Sequence, residues 1–527
     1  MFDILLRGGT VIDGTGRTAF AADVAIENGK IAAVGQLPHA RARRTVDCTG
    51  MTVTPGFIDI HRHADGAAFR PGFGEWELCQ GLTTIVNGNC GLSAAPFGQG
   101  NEAAIRAYLQ PITGDLPPRL DSRSLAGYFR SLPALSLNVS MLVGAGTLRA
   151  DAAGYQLTEL ADGHFAAIHR NMEQALSDGA LGVSLGLGYA PECFYSTADL
   201  IRALQPVAGT DIPVTVHMRQ EGGGVAESVR EMIAVARALD CPVHISHLKA
   251  MGRDNWGKKI PQVLTLLEQA QNEGLRVDCD VYPYTAGSTQ LLHILPPDYL
   301  TGGMEAVVER LKDKEVRRQL AERIESGVGF DDIAKLAGWD GIYLTSLHCP
   351  EDHPYQGHNL MEIAALMGQD PLSSCCELLA REHGQITMID FMASEEDICA
   401  ILRSPLSCVI SDATYPTEGQ LHPRVCGNVT HLLEHFVREK QALSWEQAVH
   451  KLTGRPAQVL GLTGKGRLEA GCDADVCVFA PEALHERATY TEPQQTSQGM
   501  SLVLVAGEVA LENGKPTGIC AGRAVRR

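Results

Sequence analysis

The chain is poor in several features, and each shortage excludes something. No stretch of its 527 residues approaches the ~18 consecutive apolar residues that a membrane-spanning helix needs. The opening MFDILLRGGTVIDGTG has no basic region leading into a long apolar core, so it does not read as a secretory signal and a cytoplasmic protein is expected. The 15 cysteines contain no Cys-x-x-Cys pair, and with no export signal they are expected to be reduced thiols rather than a disulfide framework. Positive charge is scarce: 44 Lys and Arg against 62 Asp and Glu leave a net charge of −18, the wrong sign for a phosphate backbone, so nucleic acid is not an expected partner. No glycine-rich phosphate loop follows His63, which argues against a doubly wound nucleotide-binding sheet. The chain does have 45% hydrophobic and 20% charged residues, proportions that argue against extensive disorder.

The two ends share a style. Residues 1–54 and 463–527 read as short strands broken by Gly and Asp, with Asn-Gly turns, and are expected to pack together as one small β-sandwich. Between them, over 55–462, short apolar strands alternate with amphipathic helices, the signature of βα units. The strands are read at 55–63, 83–90, 137–144, 181–187, 213–219, 242–249, 276–284 and 407–413. Eight is the number that closes an α/β (β/α)8 TIM barrel. The gap between the seventh and eighth is too long for one helix, so residues 287–347 are expected to form an inserted subdomain or lid over the barrel mouth.

The stretch Thr54-Pro-Gly-Phe-Ile-Asp-Ile-His-Arg-His-Ala-Asp65 ends an apolar run in two histidines. Positions i and i+2 of a strand share a face, so His61 and His63 can meet one metal ion, whereas a lone histidine would more often be a core residue. TIM-barrel active sites lie at the carboxyl ends of the strands. Those ends carry His61 and His63, then Cys90, His217, His247 and Asp412, a donor set suited to zinc with one position left for water. Each has a plainer reading: Cys90 as a small buried hydrophobe, His217 as core, His244 in place of His247. Strand parity does not choose between His244 and His247, but the latter is nearer the strand end. Gly182-Val-Ser-Leu-Gly186 matches a serine nucleophile elbow, yet loop rather than helix follows it, so the match is read as fortuitous.

These motifs resemble the amidohydrolase superfamily, whose barrel opens with a His-x-His after a Pro-Gly lead. Within it the chain is similar to the N-acyl-D-amino-acid deacylases (D-aminoacylases). The likeness rests on Gly-Asn-Cys-Gly at 88–91, Gly-Ala-Leu-Gly-Val-Ser at 179–184, His-Met-Arg at 217–219, Ser-His-Leu-Lys at 246–249, Asp-Val-Tyr-Pro-Tyr-Thr-Ala-Gly-Ser-Thr at 280–289, Ser-Asp at 411–412 and His-Pro-Arg at 422–424. The resemblance implies a tightly held zinc on Cys90, His217 and His247, which also favours His247 over His244, and a weaker second site framed by His61 and His63. Relatives that open cyclic amides bridge their metals with a carboxylated lysine, where the deacylases use a cysteine.

The expected reaction is hydrolysis of a small N-acyl amino acid, with Asp412 as general base and then acid. Its α-carboxylate needs cations and hydroxyls; the candidates are Lys249 and Arg424, supported by Tyr189, Tyr282, Tyr284 and Ser288. Three departures stand out: His-Arg-His-Ala-Asp where relatives often have His-Thr-His-Asp-Asp, Ala145 where a histidine is common, and Ala413 where glycine is usual. Arg62 points away from its neighbours on a strand, so the first change is expected to spare the metal. The segment Leu291-Leu-His-Ile-Leu-Pro296 shows no arginine for an acidic side chain, which leans towards neutral or apolar D-amino acids. The competing readings are a cyclic-amide hydrolase on the same scaffold and a catalytically silent relative that binds without turnover.

Overall fold

Residues 52–59 carry the chain out of one sheet and into another. Thr52–Pro55 pairs with strands from the two ends of the chain, and after Gly56 the strand Phe57–Asp59 begins the set that holds the candidate site. Glycine is needed at this crossing because a Cβ on Gly56 would lie 2.2 Å from the Thr83 hydroxyl oxygen. These coordinates are a computed structural model, which describes residues 1–98, 100–327 and 329–527.

Strand Phe57–Asp59 pairs in parallel with Leu82–Asn87, and that strand with Asn138–Met141, which continues past Leu142 as Val143–Gly144. The parallel order then runs Val183–Gly186, Val214–His217, Val243–Ile245, Val277–Val281 and Ser407–Val409. The last strand meets the first: Arg62 bridges Ala413, the His63 amide donates to the Ala413 carbonyl at 2.9 Å, and the Asp412 amide donates to His61 at 2.9 Å. Eight parallel strands thus return to their start. Every residue of Leu82–Asn87 is buried, as strands covered on both faces require. The covering comes from amphipathic helices such as Asp162–Ser177, which turns Phe165, Ile168, Met172 and Ala175 inward, and Val225–Leu239.

The strands of the two termini are joined by hydrogen bonds into one nine-stranded sheet. The junction is Val476–Phe479 lying antiparallel to Thr52–Pro55, and the strands share one apolar cluster that includes Leu6, Val24, Val53, Val478 and Leu504. Asp473 ties the two ends together, meeting Lys30 at 2.6 Å and Arg523 at 2.7 Å.

The excursion before the last strand does not end at 347 (residue 328 of that span lies outside the described residues). Ala286–Gln290 and Ile342–Ser346 both pair antiparallel with Thr387–Phe391, which is therefore the central strand, and the chain rejoins the parallel set only at Ser407. Ending the unit at 347 would leave its two strands without the partner that joins them, and an isolated pair of strands is marginal in water. Helices Met304–Lys312 and Pro371–Arg381 cover this sheet over a separate core containing Leu291, Val307, Leu344 and Met388. Among the described residues no helix is long and apolar enough to cross a membrane.

Candidate metal and substrate site

Three of the residues singled out above share an uncommon backbone. Cys90, His247 and Asp412 have φ of +52°, +39° and +52°, among nine non-glycine residues with positive φ in the described residues. Such a conformation costs about 1–3 kcal/mol for a side chain with a Cβ, and persists where surrounding structure enforces it. All three lie just beyond the regular end of a parallel strand, where the bend turns the side chain in towards the cavity. Gly91 allows the first bend: its φ is +74°, and a Cβ there would lie 1.8 Å from Glu192 Oε2.

The side chains converge. Cys90 Sγ lies 3.3 Å from His61 Nε2 and 3.5 Å from His247 Nε2, and His247 Nε2 lies 3.0 Å from His217 Nδ1. Asp412 Oδ1 is 3.3 Å from Nε2 of both His61 and His63. Two donor groups result, His61–Cys90–His247–Asp412 and His217–Glu221–His247, which share His247. The other face of His247 is braced: its Nδ1 is 2.9 Å from Glu221 Oε1 and 2.8 Å from Lys249 Nζ. One nitrogen cannot donate to Glu221 and accept from Lys249 at once. Since Nε2 faces the other donors, we assign Nδ1–H as donor to Glu221, and Lys249 as donor to Glu221 Oε2 at 2.7 Å.

The electrostatics follow from this packing. Burial pushes the Cys90 thiol up, but the charge of His61 and hydrogen bonds from His217, His247 and His61 outweigh burial and hold it well below the usual thiol range. Asp412 behaves alike: burial raises it, and Arg424 with His61 and His63 draws it well below the usual carboxylate range. Burial would also raise Glu221, but Lys249, His247 and His217 hold it low. A buried thiolate and carboxylate among four imidazoles form a donor set that fits a borderline-soft cation such as zinc. The buried Nδ1 atoms of His61 and His63 make no hydrogen bond, so for each ring Nε2 is the nitrogen turned to Asp412 and the cluster.

A small cavity of about 40 Å³ opens onto this cluster, lined by His63, Cys90, His217, His247 and Asp412 and also by Lys249, Tyr189, Tyr282 and Ser288. The expected residues therefore largely meet. Arg424 reaches the site from behind: fully buried, it places Nη2 3.1 Å from Asp412 Oδ2 and 3.1 Å from the Ser288 carbonyl, with its guanidinium 4.8 Å from the Tyr282 ring centre. Its Nε and Nη1 are buried with no hydrogen-bond partner. Tyr284 does not join the cavity. Its hydroxyl donates to Glu486 at 2.6 Å and its ring stacks on His431, because regular pairing ends at Val281 and the chain turns before Tyr284. His244 is held between Asp278 and Asp280 at 2.6 and 2.8 Å, a structural position.

Sequence reasoning missed Glu221, Asp280 and Asp390. Glu221 sits on the loop after Val214–His217, where no periodicity marks it. Asp390 lines the cavity almost fully buried, its carboxyl pushed up to about 7 by burial that Lys249 and Arg424 only partly offset. The Ser184 hydroxyl donates to the Gly88 carbonyl and accepts from Gly91, so the elbow-like motif supports the Cys90 loop.

Comparison with known proteins identifies a family. The model of the Amidohydrolase family matches residues 44–511. N-acyl-D-glutamate deacylase of Alcaligenes xylosoxydans xylosoxydans is 35% identical over 519 residues, covering 98% of this chain and 95% of that one. D-aminoacylase of the same organism is 33% identical over 528 residues, covering 100% and 98%. Among solved structures, N-acyl-D-glutamate deacylase from Bordetella bronchiseptica, complexed with zinc and a phosphonate mimic of the tetrahedral intermediate, superposes with a TM-score of 0.83 at 32% identity, covering 100% of both chains.

Proposed function

The chain belongs to the amidohydrolase family, and from that premise we propose that it is a zinc-dependent N-acyl-D-amino-acid deacylase. The eight-stranded set is read as a (β/α)8 barrel over 55–462, with 1–54 and 463–527 as one β unit. The observation that carries the reading is the position of Cys90, whose sulfur stands between His61 and His247. A cyclic-amide hydrolase of this scaffold would need a lysine there, and Lys249, the lysine of this cavity, is engaged by Glu221 instead.

Cys90, His217 and His247 would hold the principal zinc ion, and His61 with His63 a weaker second one. When bound, zinc polarises the acyl carbonyl and lowers the pKa of water towards ~7. Asp412, kept charged by Arg424, takes the proton of the attacking water on Oδ1 and returns it to the leaving nitrogen as the amide C–N bond breaks. The products are a carboxylate and a free D-amino acid. Arg424 Nε and Nη1, together with Lys249, receive the substrate α-carboxylate, and the Tyr189, Tyr282 and Ser288 hydroxyls complete that pocket.

Amine release from a panel of N-acetyl-D- and N-acetyl-L-amino acids, with hydantoin as control, tests the reading. Release from the D series alone is the expected result. Opening of hydantoin without amine release would replace the reading with the cyclic-amide one, and no zinc in the purified protein would favour the silent relative.

A further inference from the structure

Glu221 braces both His247 and Lys249, yet it stands on a loop and not on a strand. A side chain on an unrestrained backbone cannot aim two bonds at once, so the loop itself must be fixed. The inserted unit supplies the fixing group. Asp331 Oδ2 accepts from the Glu221 amide at 2.5 Å, and its Oδ1 from the Gly222 amide at 3.1 Å, so one carboxylate holds two successive donors. The Glu221 carbonyl is tied as well, accepting from the Met251 amide at 2.8 Å. Asp331 and Glu221 are both buried, so these bonds lie out of water. Glycine at 222 leaves room for the clamp: a Cβ there would lie 2.8 Å from Asp331 Oδ1 and 2.8 Å from Leu336 Cδ1. Leu336 belongs to the short helix Ile333–Ala337, and Ile333 lines the reacting cavity. The clamp therefore sits where the inserted unit meets the loop beside the metal ligands.

We propose that Asp331 is a positioning residue: by clamping the Glu221 and Gly222 amides it aims the Glu221 carboxylate at His247 and Lys249. The two oxygens of Glu221 divide the work. Oε1 takes His247 Nδ1–H and so turns the imidazole Nε2 towards zinc, while Oε2 holds the Lys249 ammonium where the α-carboxylate arrives. Loosening the loop then weakens zinc binding and substrate binding together. On this view the inserted unit is part of the construction of the site and not simply a cover over it. The inference rests on the zinc-dependent reading above.

The test is the zinc dissociation constant, by competition with a chelator of known affinity, measured beside kcat and KM for the best N-acetyl-D-amino acid of the panel. Partners that orient a metal-bound histidine are worth about 10–100-fold in metal affinity, and Asp331, one step further out, should be worth about tenfold. Asp331→Ala should therefore weaken zinc by that factor and raise KM. Asp331→Asn keeps one of the two acceptors and should fall between it and wild type; it decides the matter alone if the alanine variant does not fold. Asp332→Asn is the control, because Asp332 caps the same short helix at the Lys335 amide, 3.0 Å away, and it should change neither constant. The decisive readout is the double variant. Since Asp331 acts through Glu221, Asp331→Ala should take away little further zinc affinity once Glu221→Gln is in place. Additive losses, an equal effect of Asp332→Asn, or unchanged zinc affinity and KM in the Asp331 variants overturn the inference. Wild-type protein that binds no zinc instead overturns the zinc-dependent reading.

Discussion

Arg62 and Arg424 are both 0% exposed, yet their surroundings differ in kind. Arg62, between the two histidines of the first motif, spends every nitrogen within the protein: Nε on Tyr415 at 3.0 Å, Nη1 on Asp59 at 3.2 Å, and Nη2 on Glu77 at 2.9 Å. Asp59 in turn accepts from the backbone of His61 and of Ser411, at 3.2 and 3.1 Å, so this knot locks the first strand to the last. Arg424 satisfies only Nη2. A buried charge is tolerated when its hydrogen bonds are filled, and a buried guanidinium with two unpartnered nitrogens leaves donors that a ligand could fill. Arg62 belongs to the fold, and Arg424 has the free nitrogens that the proposed function assigns to the substrate.

The variant with the largest expected effect removes the acid that Arg424 holds. Asp412→Asn should lower kcat by about 10²–10⁴-fold, the range for a general acid–base group, with zinc content by metal analysis unchanged. Retained turnover would remove Asp412 from the proton path. Next comes Arg62→Met, which strands Asp59 and Glu77 in the interior; breaking a buried pair costs about 3–5 kcal/mol, read as a lower urea midpoint. Its folded fraction should keep its KM. Arg424→Met is the mirror case: KM for N-acetyl-D-amino acids should rise about 100-fold with a smaller loss of stability, and Arg424→Lys should recover only part of it, lacking a planar fork. Equal stability loss in both methionine variants, with no change in KM, would erase the distinction.

The smallest effect concerns a second satisfied knot, at the junction of the two termini. Asp473, facing Lys30, Lys465 and Arg523, is pushed up by burial, but Lys30 and Lys465 outweigh this and bring it down to about 2. A depressed carboxyl stabilises the fold above its unfolded value, 3.8, and that contribution is lost as pH falls towards 2. The contribution is about 1–2 kcal/mol after allowing for screening at the half-exposed Lys30. Urea unfolding of wild type and Asp473→Asn should differ at pH 6 and converge near pH 2; a gap independent of pH would refute the assignment.

The parallel strands were legible because each is a short apolar run ending in a polar residue, and local alternation with helices shows in the chain itself. The inserted unit was legible only to its second strand. Thr387–Phe391 lies behind two helices, and nothing local says that it pairs back to Ala286–Gln290. Tyr282 and Tyr284 could not be separated from sequence, because their divergence arises where the chain leaves the sheet. Glu221 was invisible for the reason loops often are: its role depends on His247 and Lys249, 26 and 28 residues further along.

What the sequence determined by itself was the kind of chemistry. Histidines, a cysteine and an aspartate at successive strand ends are local properties, set by residue type and spacing, and they mark the candidate donors. What the tertiary structure alone decided was which charges are spent and which are free. Whether a buried guanidinium is filled, as at Arg62, or half idle, as at Arg424, depends on partners brought together from distant strands. Hydrogen-bond satisfaction is a property of packed space, not of order along a chain.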